Sequence, residues 1–280
     1  MIIFENEQHD EERAFYGLKD ATVRNCKIDG SADGESAFKE CKNIKVEDTY
    51  LNLRYPFWHN DNVTIKNCEM TENCRAALWY DNEVEIDNCK MYGIKALREC
   101  ENIRIQKSDI LSPEFAWRSR NIKLEHTKLE GEYPFFECKN METEGLTMKG
   151  KYSFQYIENA TFRNCVLDTK DAFWHAKNVT IEDSIVKGEY LAWYAENIRF
   201  VRCKISGTQP FCYVKGLVLE DCEMEGCDLS FERSEVHAII KGHIDSVKNP
   251  MSGSIVVDSI GEVIIEENIV NPRNCVIRTK

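Results

Sequence analysis

An Asn followed by an aliphatic, any residue and a second aliphatic returns along this chain every nineteen residues. The tetrad stands at Asn43 (Ile44, Val46), Asn62 (Val63, Ile65), Asn178 (Val179, Ile181) and Asn197 (Ile198, Phe200). From position 102 the anchors fall at 102, 121, 140, 159, 178, 197, 216 and 235, with Gly216 and Glu235 replacing the last two Asn. A fixed period of this length predicts a solenoid, in which each unit buries its apolar side against its neighbours.

The unit reads as strands and corners. One and three residues past the anchor are apolar with a polar residue between them, the alternation of a half-buried strand. Position eight is again aliphatic or Met, as in Leu51, Met70, Met91 and Ile110, and position ten holds Gly93, Gly131, Gly150, Gly188, Gly207 and Gly226. A glycine column there asks for a positive φ or a close backbone approach. Phe38, Phe57, Leu78, Leu97, Phe135, Phe154, Phe173 and Phe211 share a column five before the next anchor. Three short strands per coil, each bonding to its copy about 4.8 Å away, make an all-β parallel β-helix. Nineteen is a multiple of neither five nor six, which counts against pentapeptide and hexapeptide solenoids. The pattern also lacks the helical half of a leucine-rich repeat.

About twelve coils are expected in one domain. Residues 1–19, acidic and outside the register, read as an N-terminal cap; residues 20–240 read as regular coils; residues 241–280 read as irregular final coils, a cap or a pairing edge for another chain. Asn62 and the next anchor equivalent, Glu83, are separated by two extra residues, placing a loop near 72–75.

Thirteen cysteines and a formal net charge of -12 bound the chemistry. Cys26, Cys68, Cys89, Cys165, Cys203 and Cys222 share the column six past the anchor, where Ser108, Thr127 and Ser184 substitute, so they read as small packed side chains. The odd count, the lack of any CxxC and the acidic start without a basic n-region point to reduced thiols in the cytoplasm. The negative charge disfavours nucleic acid and anionic membrane, and no run approaches a membrane span. Six scattered histidines and no Asp cluster leave no metal site, and no cofactor motif is visible.

The run Glu11-Glu12-Arg13-Ala14-Phe15-Tyr16-Gly17-Leu18-Lys19-Asp20, followed by coils of the Asn-Val-Thr-Ile type with Trp near each corner, resembles a family of bacterial proteins of unknown function. That resemblance covers essentially the whole chain and implies a right-handed, pectin-lyase-like β-helix. It implies no activity and no catalytic residue.

All five tryptophans, Trp58, Trp79, Trp117, Trp174 and Trp193, stand four residues before an anchor. Lys39, Arg98 and Gln155 share the column and would be costly to bury alone, so the column is expected to face solvent. Beside it, three before the anchor, run Glu40, His59, Tyr80, Glu99, Arg118, Glu137, Tyr156, His175, Tyr194 and Tyr213; seven before it stand Tyr55, Lys95, Glu114, Tyr133, Tyr152, Asp171 and Tyr190. This strip has three readings. Trp58, His59, Trp79, Trp117, Arg118, Tyr152, Trp174, Tyr190, Trp193 and Tyr194 could bind a carbohydrate or similar extended ligand. They could instead be ladders that stabilise consecutive coils. Or they could form a protein-binding or homo-oligomer face on a non-enzymatic scaffold.

Whether the chain is an enzyme stays open at this level. Glu99 and Glu137 share a column two coils apart, near the separation used by inverting glycosidases, but Arg118 between them favours a salt-bridge ladder. Asp171 and His175 lie on one coil beside Trp174 and form the best cluster for acid/base chemistry. Arg75, Lys95, Arg98 and Arg118 could form a basic patch, with Glu72, Glu99 and Glu114 close enough to neutralise it.

Overall fold

The computed structural model describes residues 2–30, 34–266, 268–269 and 274–280. The chain divides into two compact units, Met1–Glu142 and Thr143–Lys280. Each is a parallel β-solenoid, and no helix occurs among the described residues.

In the first unit the long strands are β1 (Ile2–Glu5), β2 (Lys19–Arg24), β3 (Lys42–Glu47), β4 (Asp61–Lys66), β5 (Asn82–Asp87), β6 (Glu101–Gln106) and β7 (Arg120–Glu125). Each bonds to the next in parallel register, with Ile44 opposite Val63, Val63 opposite Val84 and Val84 opposite Ile103. The two additional residues between Asn62 and Glu83 are absorbed in a turn, where the Cys74 N–H donates to Thr71 O. In the second unit β8 (Glu158–Arg163), β9 (Lys177–Glu182), β10 (Glu196–Val201), β11 (Lys215–Glu223), β12 (Glu235–Lys241), β13 (Ser252–Val257) and β14 (Asn274–Thr279) do the same. Ala160, Val179, Ile198, Leu217 and Val236 follow one another at the nineteen-residue step. After β12 the step changes, Glu235 lying opposite Ser252 and Ser252 opposite Asn274. The final coils are irregular in length but keep the ladder.

Two expectations need correction. Residues 1–19 are not outside the register: Ile2 pairs with Ala21 and Gln8 with Lys27, so this segment is itself a coil and the count exceeds twelve. Ile2, Ile3 and Phe4 are consecutive apolar residues without the alternation of the other long strands, and acidic residues follow them. The third strand of the coil is also only partly realised. It exists at Phe38–Lys39, Phe57–Trp58, Leu78–Trp79 and Leu97–Arg98, and elsewhere that side is a run of turns.

The turns explain themselves through backbone angles. Glu114, Ala116 and Arg118 have φ of 56°, 62° and 55°, and Asp171, Phe173 and His175 have 53°, 60° and 54°. Alternate residues on this side are therefore left-handed, which curls the chain instead of extending it. The anchor asparagines are left-handed too, Asn62 at 59° and Asn178 at 55°. Such a conformation costs an L-residue roughly 1–2 kcal/mol, and Asn bears it best because its short amide bonds locally. Here the amides bond between coils: Asn62 Nδ2 donates to Asn43 Oδ1 at 3.0 Å, and Asn178 Nδ2 to Asn159 Oδ1 at 3.0 Å.

The interior is a set of columns. Phe38 stacks on Phe57 at 5.0 Å and Phe154 on Phe173 at 4.9 Å, with interplanar angles of 9° and 13°. The cysteine column is buried as expected, its thiols donating to carbonyls such as that of Lys66, 3.2 Å from Cys68 Sγ. At Gly93, Gly131, Gly188 and Gly207 the glycine column answers to close approach, whereas Gly226 has open space and a φ of 73°. A Cβ on Gly93 would overlap the carbonyl of Cys74 in the preceding coil. Two before the anchor runs a buried column with several polar members, in which Asn60 Oδ1 accepts the Cys41 N–H at 2.7 Å and Ser119 Oγ accepts the Cys100 N–H at 3.1 Å.

Candidate functional site: two aromatic ladders

The tryptophan column is half-buried, not fully solvent-facing, because its rings stack on their neighbours. In the first unit Trp58 and Trp79 lie 5.9 Å apart and 11° from parallel. Lys39 Nζ covers Trp58 at 4.8 Å, and the Arg98 guanidinium sits between Trp79 and Trp117 at 5.7 and 5.2 Å from their centroids. The cations that made an outward column seem necessary are thus cation–π rungs of one ladder. Arg98 is further neutralised by Glu99 at 3.5 Å and Glu114 at 3.9 Å. In the second unit Trp174 and Trp193 stack at 5.4 Å and 4°. Gln155, expected to be exposed, is buried and donates to the Asp171 carbonyl at 3.3 Å.

Three indole N–H groups help close the coils. Trp117 Nε1 donates to Tyr133 O at 2.6 Å, Trp174 Nε1 to Tyr190 O at 2.7 Å and Trp193 Nε1 to Gln209 O at 2.8 Å. Each bond ties a ring to the left-handed corner of the next coil. Trp58 and Trp79 differ: Tyr55 packs against both rings, and their Nε1 atoms are buried with no partner. With both faces stacked, an indole in the middle of the ladder presents only its edge.

The outer ladder is the more exposed of the two. It is built on the left-handed residues three before each anchor, which turn their side chains away from the core. His59 stacks on Tyr80 at 4.9 Å in the first unit. In the second, Tyr156, His175, Tyr194 and Tyr213 form a continuous four-ring stack with spacings of 4.8, 5.1 and 4.8 Å and angles of 8–9°. Tyr80, Tyr156 and Tyr194 keep 41%, 45% and 43% of their surface exposed. Tyr190 packs edge-on to Trp193 at 5.4 Å, with Lys170 over its other side at 5.2 Å, and Tyr152 lies under Lys151.

The catalytic candidates are not brought together as acid and base. Arg118 Nε donates to Glu137 Oε2 at 2.8 Å while Arg98 serves Glu99, so the Glu99–Arg118–Glu137 column carries alternating charge. Asp171 is buried, and that burial pushes its carboxyl above the ordinary value. Its side chain shares no hydrogen bond with His175, whose ring is occupied on both faces by Tyr156 and Tyr194. Among the described residues no group of three His, Cys, Asp or Glu side chains could hold a metal ion. The basic candidates Lys95 and Arg98 converge on Glu114, leaving no net positive patch.

One buried ionisable group escaped the sequence reading. Asp81, in the polar column with Asn60, accepts the Asn60 N–H at 2.7 Å while its second oxygen has no partner. Burial raises its pKa to about 8. A polar cleft lined by His9, Asp10, Asp29, Asn52, Arg54 and Asn73 also went unnoticed, and it shares no residue with the strip.

These features define a class: parallel β-solenoid proteins whose corners carry stacked aromatic side chains. The chain belongs to the DUF3737 family of proteins of unknown function, whose model matches residues 2–278. Comparison with curated proteins finds no match. Among solved structures, the A-module of the Azotobacter vinelandii mannuronan C-5 epimerase AlgE4 is similar at 12% identity, over 86% of this chain and 81% of that one, with a TM-score of 0.33. The tailspike protein gp49 of Pseudomonas phage LKA1 is 9% identical, over 99% and 46%, with a TM-score of 0.36. The Agl-KA catalytic domain is 9% identical, over 99% and 61%, with a TM-score of 0.37. The chain thus spans less than two thirds of either of the last two.

Proposed function

We propose that the outer aromatic ladder is a binding surface for an extended, hydroxyl-rich polymer, a polysaccharide strand being the natural occupant, and that binding rather than turnover is its role. The observation that carries this reading is the Tyr156–His175–Tyr194–Tyr213 stack, whose rings are held rigid by each other and whose Tyr156 and Tyr194 remain more than two-fifths exposed. Rings already stacked lose little side-chain entropy when a ligand arrives, and each phenol offers a hydroxyl that both donates and accepts. Stacking occupies the ring faces, so the ligand lies across ring edges and bonds to phenol tips, at one rung per coil.

The test is titration of neutral and uronic-acid polysaccharides followed by calorimetry, comparing wild type with the Tyr156→Ala, Tyr194→Ala double variant. Saturable binding that weakens at least tenfold in the variant is expected. Absence of binding to every polysaccharide, or binding indifferent to the double change, would remove the proposal.

A further inference from the structure

We infer that copies of this chain associate head to tail, the β14 edge of one molecule adding a parallel strand to the β1 edge of the next. Among the described residues β1 pairs only with β2, and β14 only with β13. Each therefore presents one unpaired row of main-chain N–H and C=O groups, a template for another strand. Exposed apolar side chains stand on both edges: Ile2 and Ile3 are 57% and 55% exposed, and Val276 is 49% exposed.

The two edges match residue by residue when the ladder is continued by one step. Phe4 lies in register with buried Val23, and Ile277 with buried Ile255, so both point into the core side of their coils. Setting Ile277 of one copy opposite Phe4 of the next continues the interior. The same register sets Val276 opposite Ile3 on the outer face. It also sets Arg278 opposite Glu5.

That last pairing extends a column already built this way. Glu5 is matched with Arg24 at 3.0 Å in the next coil, and Lys66 with Asp87 at 3.9 Å further along. Arg278 makes no ion pair among the described residues. Like edges repel, since β1 carries Glu5 with Glu7 close behind and β14 carries Arg278. Charge therefore selects the unlike pairing, which is heterologous, and opposes a two-fold dimer through either edge.

Sedimentation velocity over a wide concentration range tests this, with Ile3→Lys and Val276→Glu as the edge variants. Both positions are exposed, and circular dichroism checks that each variant keeps its strands. Wild type is expected to show a mass that rises with concentration and falls with added salt. Each variant alone is expected to be monomeric, and a mixture of the two to associate, because each retains one intact edge. A second readout is Cys275, whose labelling by a thiol reagent is expected to slow as wild type associates. A monomeric wild type at every concentration, self-association of either single variant, or a mixture that stays monomeric would each overturn the inference.

Discussion

Asp81 Oδ1 accepts the main-chain N–H of Asn60 at 2.7 Å inside a column where both side chains are buried. The neighbouring rung shows what the site prefers: Asn60 accepts the Cys41 N–H with its Oδ1 and donates its Nδ2 to Phe38 O at 2.9 Å. Asp81 has the acceptor half of that arrangement, and its Oδ2 has no partner.

Stability should therefore depend on pH through this one carboxyl. Its folded pKa of about 8 lies above the ordinary 3.8. The unfolded chain releases the proton near 4, whereas the folded chain keeps it until about 8. Asp81 thus favours the fold most below pH 4, and that contribution is lost as pH rises toward 8, by at most about 1.4 kcal/mol per pH unit. The Asp81→Asn variant, with an amide that copies Asn60, is expected to melt higher than wild type at pH 8 and to show a flatter profile between pH 5 and 8. Parallel melting curves for the two proteins across that range would show that the carboxyl is not held neutral.

At Asn178 the ladder and the backbone conformation can be separated. This residue is left-handed and bonds on both sides, to Asn159 Oδ1 at 3.0 Å and from Asn197 Nδ2 at 3.2 Å. Replacement by Gly removes the bonds but suits the backbone, as Gly216 does at the same position of a later coil with φ of 66°. Replacement by Ala removes the bonds and adds the steric cost. Urea denaturation should place Asn178→Ala below Asn178→Gly by about 1 kcal/mol, and equal stabilities would mean that the corner is not what selects Asn.

Gly93 has no left-handed φ, yet a side chain there should be costly. Its hypothetical Cβ meets the Cys74 carbonyl, a rigid backbone group of the coil before. Gly93→Ala is expected to lose about 1–3 kcal/mol by overpacking. An unchanged denaturation midpoint would indicate that the coils can separate locally without penalty.

Thiol chemistry offers a fourth check. Of the thirteen cysteines only Cys275 is not buried. In dilute native protein a colourless-to-yellow disulfide reagent should titrate one thiol, and all thirteen once denatured. Burial raises even Cys275, to about 11, so its reaction near neutral pH should be slow and should accelerate as pH rises. Fast titration of several thiols in the native state would contradict the packed cysteine column.

Periodic features were readable in advance, and the reasons are physical. The step from Ile44 to Val63, the stacked Phe154 and Phe173, and the buried Cys68 and Cys89 all express a rule that repeats, and repetition raises a weak local signal above chance. Singular features were not. Asp81 occupies a column otherwise filled by Cys, Asn, Ser and apolar residues such as Ile157 and Ala176, and nothing in its own neighbourhood announces burial. The first coil was missed because Glu5 and Glu7 made Ile2 to Phe4 resemble an acidic tail. The tryptophan column is legible, and of its readings the inter-coil ladder is the one the stacked pairs match, while the expectation of an outward-facing column holds only by half. Whether a ring face is open depends on the residue nineteen positions away, and Lys39 and Arg98, which suggested exposure, are the groups that cover them.

The left-handed corners bear on how such a molecule can change. A turn secured by contacts with the coils above and below does not need glycine, so His, Tyr, Glu and Arg all occupy the same bend without altering the path of the chain. The exposed face can then be rewritten one rung at a time while the interior stays constant. Length is harder to vary: an insertion must either add a full winding or, like the two residues absorbed before Cys74, be taken up in an exposed bend.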